Sequence, residues 1–144
     1  MLYTALTRKA MIFAYKAHEG QLDRGGVPYV FHPYHLAEQM DSEYEICTAL
    51  LHDVVEDTEY TIEDLKSEGF PQEVTDAVSL LTREPDTDYL EYVKRLKPNV
   101  IARRVKLADL EHNSDASRAV GEDPKILEIR MEKYRLAREI LTEQ

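Results

Sequence analysis

Residues 46–58, ICTALLHDVVEDT, decide the fold. The run is apolar from Ile46 to Val55 apart from Thr48 and the adjacent pair His52 and Asp53, and Glu56 and Asp57 follow at once. A helix that is apolar on every side belongs in the middle of a bundle. We place this one at residues 43–56, which carries His52 and Asp53 deep into the fold. An unpaired ionised carboxylate in an apolar interior costs on the order of several kcal/mol and is seldom left uncompensated. At about 100° per residue, His52 stacks on Glu56 and Asp53 on Asp57 at i,i+4, with Asp53 and Glu56 at i,i+3. Carboxylates gathered this closely repel one another unless a positive charge sits among them, and a divalent metal would supply it. The other reading makes Glu56 and Asp57 a solvated helix end and His52 a hydrogen-bonded core histidine. The HD dipeptide alone does not decide between them.

Outward from the central helix, every convincing period is helical. Residues 3–18 form a helix with Leu6, Ala10, Phe13, Ala14 and Ala17 on one stripe and His18 at its end. The segment EGQLDRGGVPYV carries Gly20, the Gly25-Gly26 pair and Pro28, so it is a loop able to pass close to a ligand, with Arg24 as its one cation. Pro33 suits the first turn of the next helix, FHPYHLAEQM, and leaves His32 at its mouth. Thr61 with Asp64 reads as a capping pair for a short helix to about Glu68, stopped by Gly69 and Pro71. Val74, Ala77, Val78 and Leu81 form the stripe of another helix, which Pro85 breaks. Residues 87–96 form the next, Pro98 begins a long one to about Ala119, and Asp123-Pro124 caps the last, with Leu127, Tyr134, Ala137 and Leu141 facing inward. The expectation is an all-α bundle of about seven to eight helices, with residues 1–144 as one domain.

Composition narrows the function classes. A formal net charge of −10 argues against non-specific nucleic-acid binding. No long apolar span and no charged-then-apolar leader is present, so we expect a soluble cytoplasmic protein with no membrane partner. The single Cys47 rules out an internal disulfide and reads as a small buried thiol. Between Lys94 and Lys106 lie six basic residues and no acidic one, either a solvated helix face or a rim that attracts one small polyanion.

The segment KLADLEHN puts Lys106, Asp109 and Asn113 on one helical face, extended by the small residues Ala102 and Ala116. That face is either a solvated stripe with a Lys106–Asp109 ion pair or part of a site. Together, His32, His52, Asp53 and Asp109 offer two imidazoles and two carboxylates, a mixed N/O set suited to a first-row divalent ion rather than calcium. With four side chains as ligands, an octahedral ion keeps positions open for water and substrate. His35, one turn beyond His32, reads as a partly exposed helix residue or as a partner supporting His32, and His18 and His112 read in the same way. Tyr29, Tyr34, Tyr89 and Tyr92 read as packing or rim residues.

The ordered set His32, His52-Asp53, Asp109 resembles the HD superfamily of metal-dependent phosphohydrolases. More closely, AYKAHEGQLDRGGVPYVFHP, ALLHDVVEDT and KLADLEHN resemble the hydrolase domain of RelA/SpoT-type alarmone enzymes and the small stand-alone alarmone hydrolases, over about Met11 to Arg118. The resemblance implies an HD-type bundle in which His32, His52, Asp53 and Asp109 hold one Mn2+. It implies that Glu56 and Asp57 position and deprotonate the attacking water, and that the reaction removes the 3′-pyrophosphate of ppGpp or pppGpp. Lys106 and Asn113 fall where the family contacts substrate, and Arg24 and Tyr29 lie in the loop that covers the nucleotide.

Three positions depart from the family. Asp23 stands where an arginine that packs on the guanine base is expected, with Arg24 in place of a lysine, and Ala116 replaces a threonine near the nucleotide. An acid in place of a guanidinium changes both charge and shape at the base pocket. Asp23 therefore opens a second reading, a nucleotidase or phosphatase for another nucleotide or NADPH with the same metal site. A third is a non-catalytic nucleotide-sensing protein.

Overall fold

Most helices of this chain begin where a side chain can accept an otherwise unpaired backbone N–H. In the computed structural model, which describes residues 1–143, Thr4 and Thr7 close a capping box on α1 (Ala5–Ala17). Ser42 with Glu45 does the same for α3 (Glu43–Leu51), after α2 (Phe31–Glu38). α4 (Val54–Asp57) follows. The expected Thr61–Asp64 box opens α5 (Ile62–Ser67), with α6 at Gln72–Leu81. Asp88 caps α7 (Tyr89–Leu96), Asn99 caps α8 (Val100–Asn113), and Asp123 with Pro124 opens α9 (Pro124–Thr142). Among the described residues there is no strand, only an isolated antiparallel bridge between Leu22 and Pro28. Among the described residues no helix is long and apolar enough to cross a membrane.

The central position expected of residues 46–51 is observed. α3 packs against α1, α2, α6 and α8, and Ile46, Cys47, Ala49, Leu50 and Leu51 are at most 1% exposed. Burial pushes the Cys47 thiol up to about 12, so it is a packed, unreactive thiol. α9 closes the bundle against α7 and α8.

The structure corrects three details of the sequence reading and decides a fourth that it left open. The helix expected at 43–56 is two helices, because His52 Nδ1 bonds the Ala49 carbonyl at 2.7 Å and Asp53 takes φ −104°, ψ −1°, off the helical ladder. That turn leaves His52 buried while the Asp53 side chain keeps 16% of its surface open. The long helix expected to reach Ala119 stops at Asn113. Asp115 Oδ1 accepts from the Ser117 N–H at 3.0 Å and its hydroxyl at 2.6 Å, which starts a 3-10 turn, Ala116–Arg118, and takes Ala116 off the α8 face.

His18 is buried rather than partly exposed; it caps α1, with Nδ1 2.7 Å from Gln21 Oε1. Finally, the basic run is not a rim. Arg104 is tied to Asp41 and Lys94 to Glu91, and of the six basic residues only Lys106 turns inward.

Gly69, at φ +92°, turns the chain between α5 and α6 in a conformation that side chains rarely adopt. Truncating the core at Leu50→Ala is expected to cost about 2–5 kcal/mol, and Thr61→Ala about 1 kcal/mol through the lost cap. Urea denaturation of both variants checks the ranking; an equal or larger loss at Thr61 would contradict the central role of α3.

Candidate active site

His32 enters from the first turn of α2, His52 and Asp53 from the turn between α3 and α4, and Asp109 from α8. One ligand atom from each can be chosen so that all lie within 4.8 Å of one another. His32 Nε2 is 2.8 Å from Asp109 Oδ1 and 4.0 Å from Asp53 Oδ2, and His52 Nε2 is 2.9 Å from Asp53 Oδ2 and 3.6 Å from Asp109 Oδ1. The Nδ1 of His52 is engaged by the Ala49 carbonyl, so that nitrogen carries the proton and Nε2 presents its lone pair inward. His52 Nε2 is buried and makes no hydrogen bond of proper geometry with any protein group. An orphaned imidazole lone pair between two carboxylates is a set of donors without a cation, and a first-row divalent ion fits it.

A second layer holds the donors in place. Lys106 Nζ lies 2.9 Å from Asp109 Oδ2, and Asn113 Nδ2 donates to Asp109 Oδ1 at 3.0 Å. Burial pushes the Asp109 carboxyl up, but Lys106, His32 and His52 outweigh it and hold it well below the usual carboxylate range. Burial likewise raises Asp53, and His52 overcomes it, leaving the carboxyl at about 2. The Tyr29 hydroxyl donates to Asp53 Oδ2; burial and the Asp53 charge raise the phenol far above its ordinary value, so it stays a donor. Behind it, the His18 ring packs 5.0 Å from the Tyr29 ring. His32 Nδ1 meets His112 Nδ1 at 2.7 Å, and His35 stacks on His112 at 4.1 Å, so these two histidines support a ligand.

These residues floor a cleft of about 430 Å³, within the size range of small-molecule sites. Arg24, Tyr29, His32, Asp53, Glu56, Asp57, Lys106, Asp109 and Asn113 all line it, with His52 directly behind. Glu56 Oε1 accepts the Arg83 backbone N–H at 2.7 Å, which fixes its carboxylate, while burial first, then Asp53 and Glu56, push the Asp57 carboxyl up to about 6. Asp23 folds back on its own loop. Its Oδ1 accepts from the N–H groups of Gly25 (2.8 Å) and Val27 (3.0 Å), and Oδ2 faces Arg118 at 3.7 Å.

Sequence reasoning missed Arg83, Arg118, Glu122, Arg130 and Lys133, which also line the cleft. Arg130, Lys133 and Tyr134 sit at i, i+3 and i+4 on α9, so the inward stripe through Tyr134 was a legible signal for them. Arg83, in a connecting segment, had none.

The profile of the HD domain family matches residues 10–115. The chain belongs to the HD domain family. This HD domain is 36% identical over 124 residues to the zebrafish (Danio rerio) protein named guanosine-3′,5′-bis(diphosphate) 3′-pyrophosphohydrolase MESH1, covering 76% of the chain and 68% of that protein. It is 36% identical over 116 residues, 71% of the chain, to a Haemophilus influenzae protein of the same enzymatic name, but spans only 17% of that longer relative. A solved structure described as a metazoan ortholog of SpoT that hydrolyses ppGpp superposes with a TM-score of 0.81 and 25% identity, over 99% of this chain and 89% of the other.

Two substitutions test the candidate metal centre of this HD domain. Asp53→Ala removes one of the four candidate donors and is expected to lower bound metal after dialysis, measured by elemental analysis; wild-type content would contradict the assignment. Tyr29→Phe removes only the support to Asp53 and is expected to weaken metal affinity by about 10–100-fold, read by competition with a chelator.

Proposed function

We propose that this HD domain is a metal-dependent guanosine-3′,5′-bis(diphosphate) 3′-pyrophosphohydrolase, acting in the cytoplasm with one Mn2+ held by His32, His52, Asp53 and Asp109. The observation that carries the reading is the convergence of those four donors beneath a cleft large enough for a nucleotide, in a chain whose relatives of similar length include a protein named for that reaction. A bound divalent ion supplies Lewis acidity at phosphorus and acidifies a water.

The residues of the chain do the rest. Asp57, raised to about 6 and free of an ion pair, accepts the proton of the attacking water. Glu56, anchored by the Arg83 N–H, orients that water. The water oxygen bonds to the phosphorus linked to the 3′ oxygen, the bond between that phosphorus and the 3′ oxygen breaks, the 3′ oxygen takes up a proton to become the ribose hydroxyl, and pyrophosphate and GDP separate. Lys106 neutralises Asp109 and faces the cleft, and Arg24 and Asn113 meet the nucleotide at its walls. Tyr29, which the resemblance places against substrate, serves the centre through Asp53.

Asp23 favours a second reading, removal of a phosphate from another nucleotide or NADPH. An aspartate stands where the resemblance leads one to expect a stacking arginine, and its carboxylate is occupied by two N–H groups of its own loop and by Arg118. Incubation of the protein and Mn2+ with a nucleotide panel separates the two. Pyrophosphate released from ppGpp is the expected result, and orthophosphate alone would move the assignment to the second reading. The Glu56→Gln, Asp57→Asn double variant is expected to lose about 10²–10⁴-fold in kcat; equal, near-zero turnover in wild type and variant would make the protein a nucleotide sensor.

A further inference from the structure

Six cations line the cleft, and four of them are already paired. Lys106 faces Asp109 at 2.9 Å, Arg130 faces Glu122 at 2.6 Å, Arg24 reaches the same glutamate at 3.8 Å, and Arg118 faces Asp23 at 3.7 Å. The side chains of Arg83 and Lys133 have no carboxylate within 4.0 Å among the described residues. Both nevertheless converge on one place. Lys133 Nζ stands 4.7 Å from the centre of the Tyr89 ring and Arg83 Cζ 5.5 Å from it, with Lys106 Nζ at 5.4 Å.

The electron-rich face of a tyrosine attracts cations, but about 0.5–1 kcal/mol per exposed contact is a modest return for gathering three like charges. Burial and the charges of Arg83, Lys106, Arg130 and Arg24 push the Lys133 ammonium below its ordinary value, and every neighbour in that account is a cation. These groups come from three separate elements, the segment after α6, α8 and α9, so the fold rather than local sequence brings them together. Through Lys106 the cluster adjoins the metal centre without belonging to it.

We propose that Arg83 and Lys133, gathered on Tyr89, form a second anion subsite that receives an oligophosphate of the substrate other than the one being cleaved. This rests on the phosphohydrolase reading above, under which the group is the 5′-diphosphate. The subsite then selects nucleotides with two separate oligophosphates, because one group sits over the metal centre while the other neutralises the free cations. The specificity it confers is independent of the base.

The test uses the Arg83→Gln, Lys133→Gln double variant beside an Arg8→Gln, Lys16→Gln variant, which removes the same charge from α1 outside the cleft. Calorimetric titration of chelator-treated protein with inorganic tripolyphosphate is expected to show binding in wild type and the α1 variant, and at least tenfold weaker binding in the subsite variant. Thermal melts identify any loss of fold. In turnover with Mn2+, the ratio of kcat/KM for ppGpp to that for guanosine bearing only a 3′-diphosphate is expected to fall at least tenfold in the subsite variant. Equal tripolyphosphate binding in all three proteins, or an unchanged ratio, would overturn the proposal. If wild type cleaves neither nucleotide, the reading of the reaction falls, and the tripolyphosphate titration alone decides the subsite.

Discussion

Two carboxylates, Asp53 and Asp109, face each other's neighbours across a few ångströms inside a helical bundle, and the rest of the structure is arranged around that strain. Burial raises both carboxyls, yet both are held low, Asp109 by the Lys106 ammonium beside it and by the His32 imidazole against its Oδ1, and Asp53 by its contact with His52. Hydrogen bonds from Tyr29 and Asn113 occupy further lone pairs. The compensation is incomplete at one point, the inward nitrogen of His52, which is where the donor set asks for a cation.

Meeting that constraint shapes the local structure. The chain leaves the helix at His52, using the Ala49 carbonyl to fix the ring, and restarts at Val54. A short stretch of helical hydrogen bonding is given up, and an oriented imidazole and a carboxylate open to the cleft are gained. α8 stops at Asn113 with comparable effect, since the last turn holds Asp109 and Asn113 while the following turn carries Arg118 to the loop that contains Asp23. The loop itself is drawn together by Asp23, whose side chain satisfies two of its backbone donors, and Gly26 at φ +83° completes the turn.

The cleft has two electrostatic halves. Acids concentrate around the metal centre and at Glu56 and Asp57, whereas Arg83 and Lys133 leave positive charge exposed on the Tyr89 side. A net charge of −10 on the whole chain hides this division. Bulk charge describes how the molecule meets a long polyanion; the local arrangement describes what it holds in its cleft.

Much of this was legible before any coordinates. Capping pairs at Thr61–Asp64 and Asp123–Pro124 marked helix starts, the apolar run from Ile46 marked the centre, and His52-Asp53 stood out as a polar pair in an apolar setting, with His32 at a helix mouth and Asp109 on a polar helix face as the donors that could join it. Those signals are local, set by backbone hydrogen bonding and by the 3.6-residue period, and a linear chain displays them directly. What only the tertiary structure decided depends on segments far apart in sequence: the break at His52, the use of Tyr29 and the His35–His112 stack as supports, the inward turn of Asp23, and the meeting of Arg83 with Lys133. Each is an outcome of competition between distant groups for the same space and charge, which no single stretch of sequence contains.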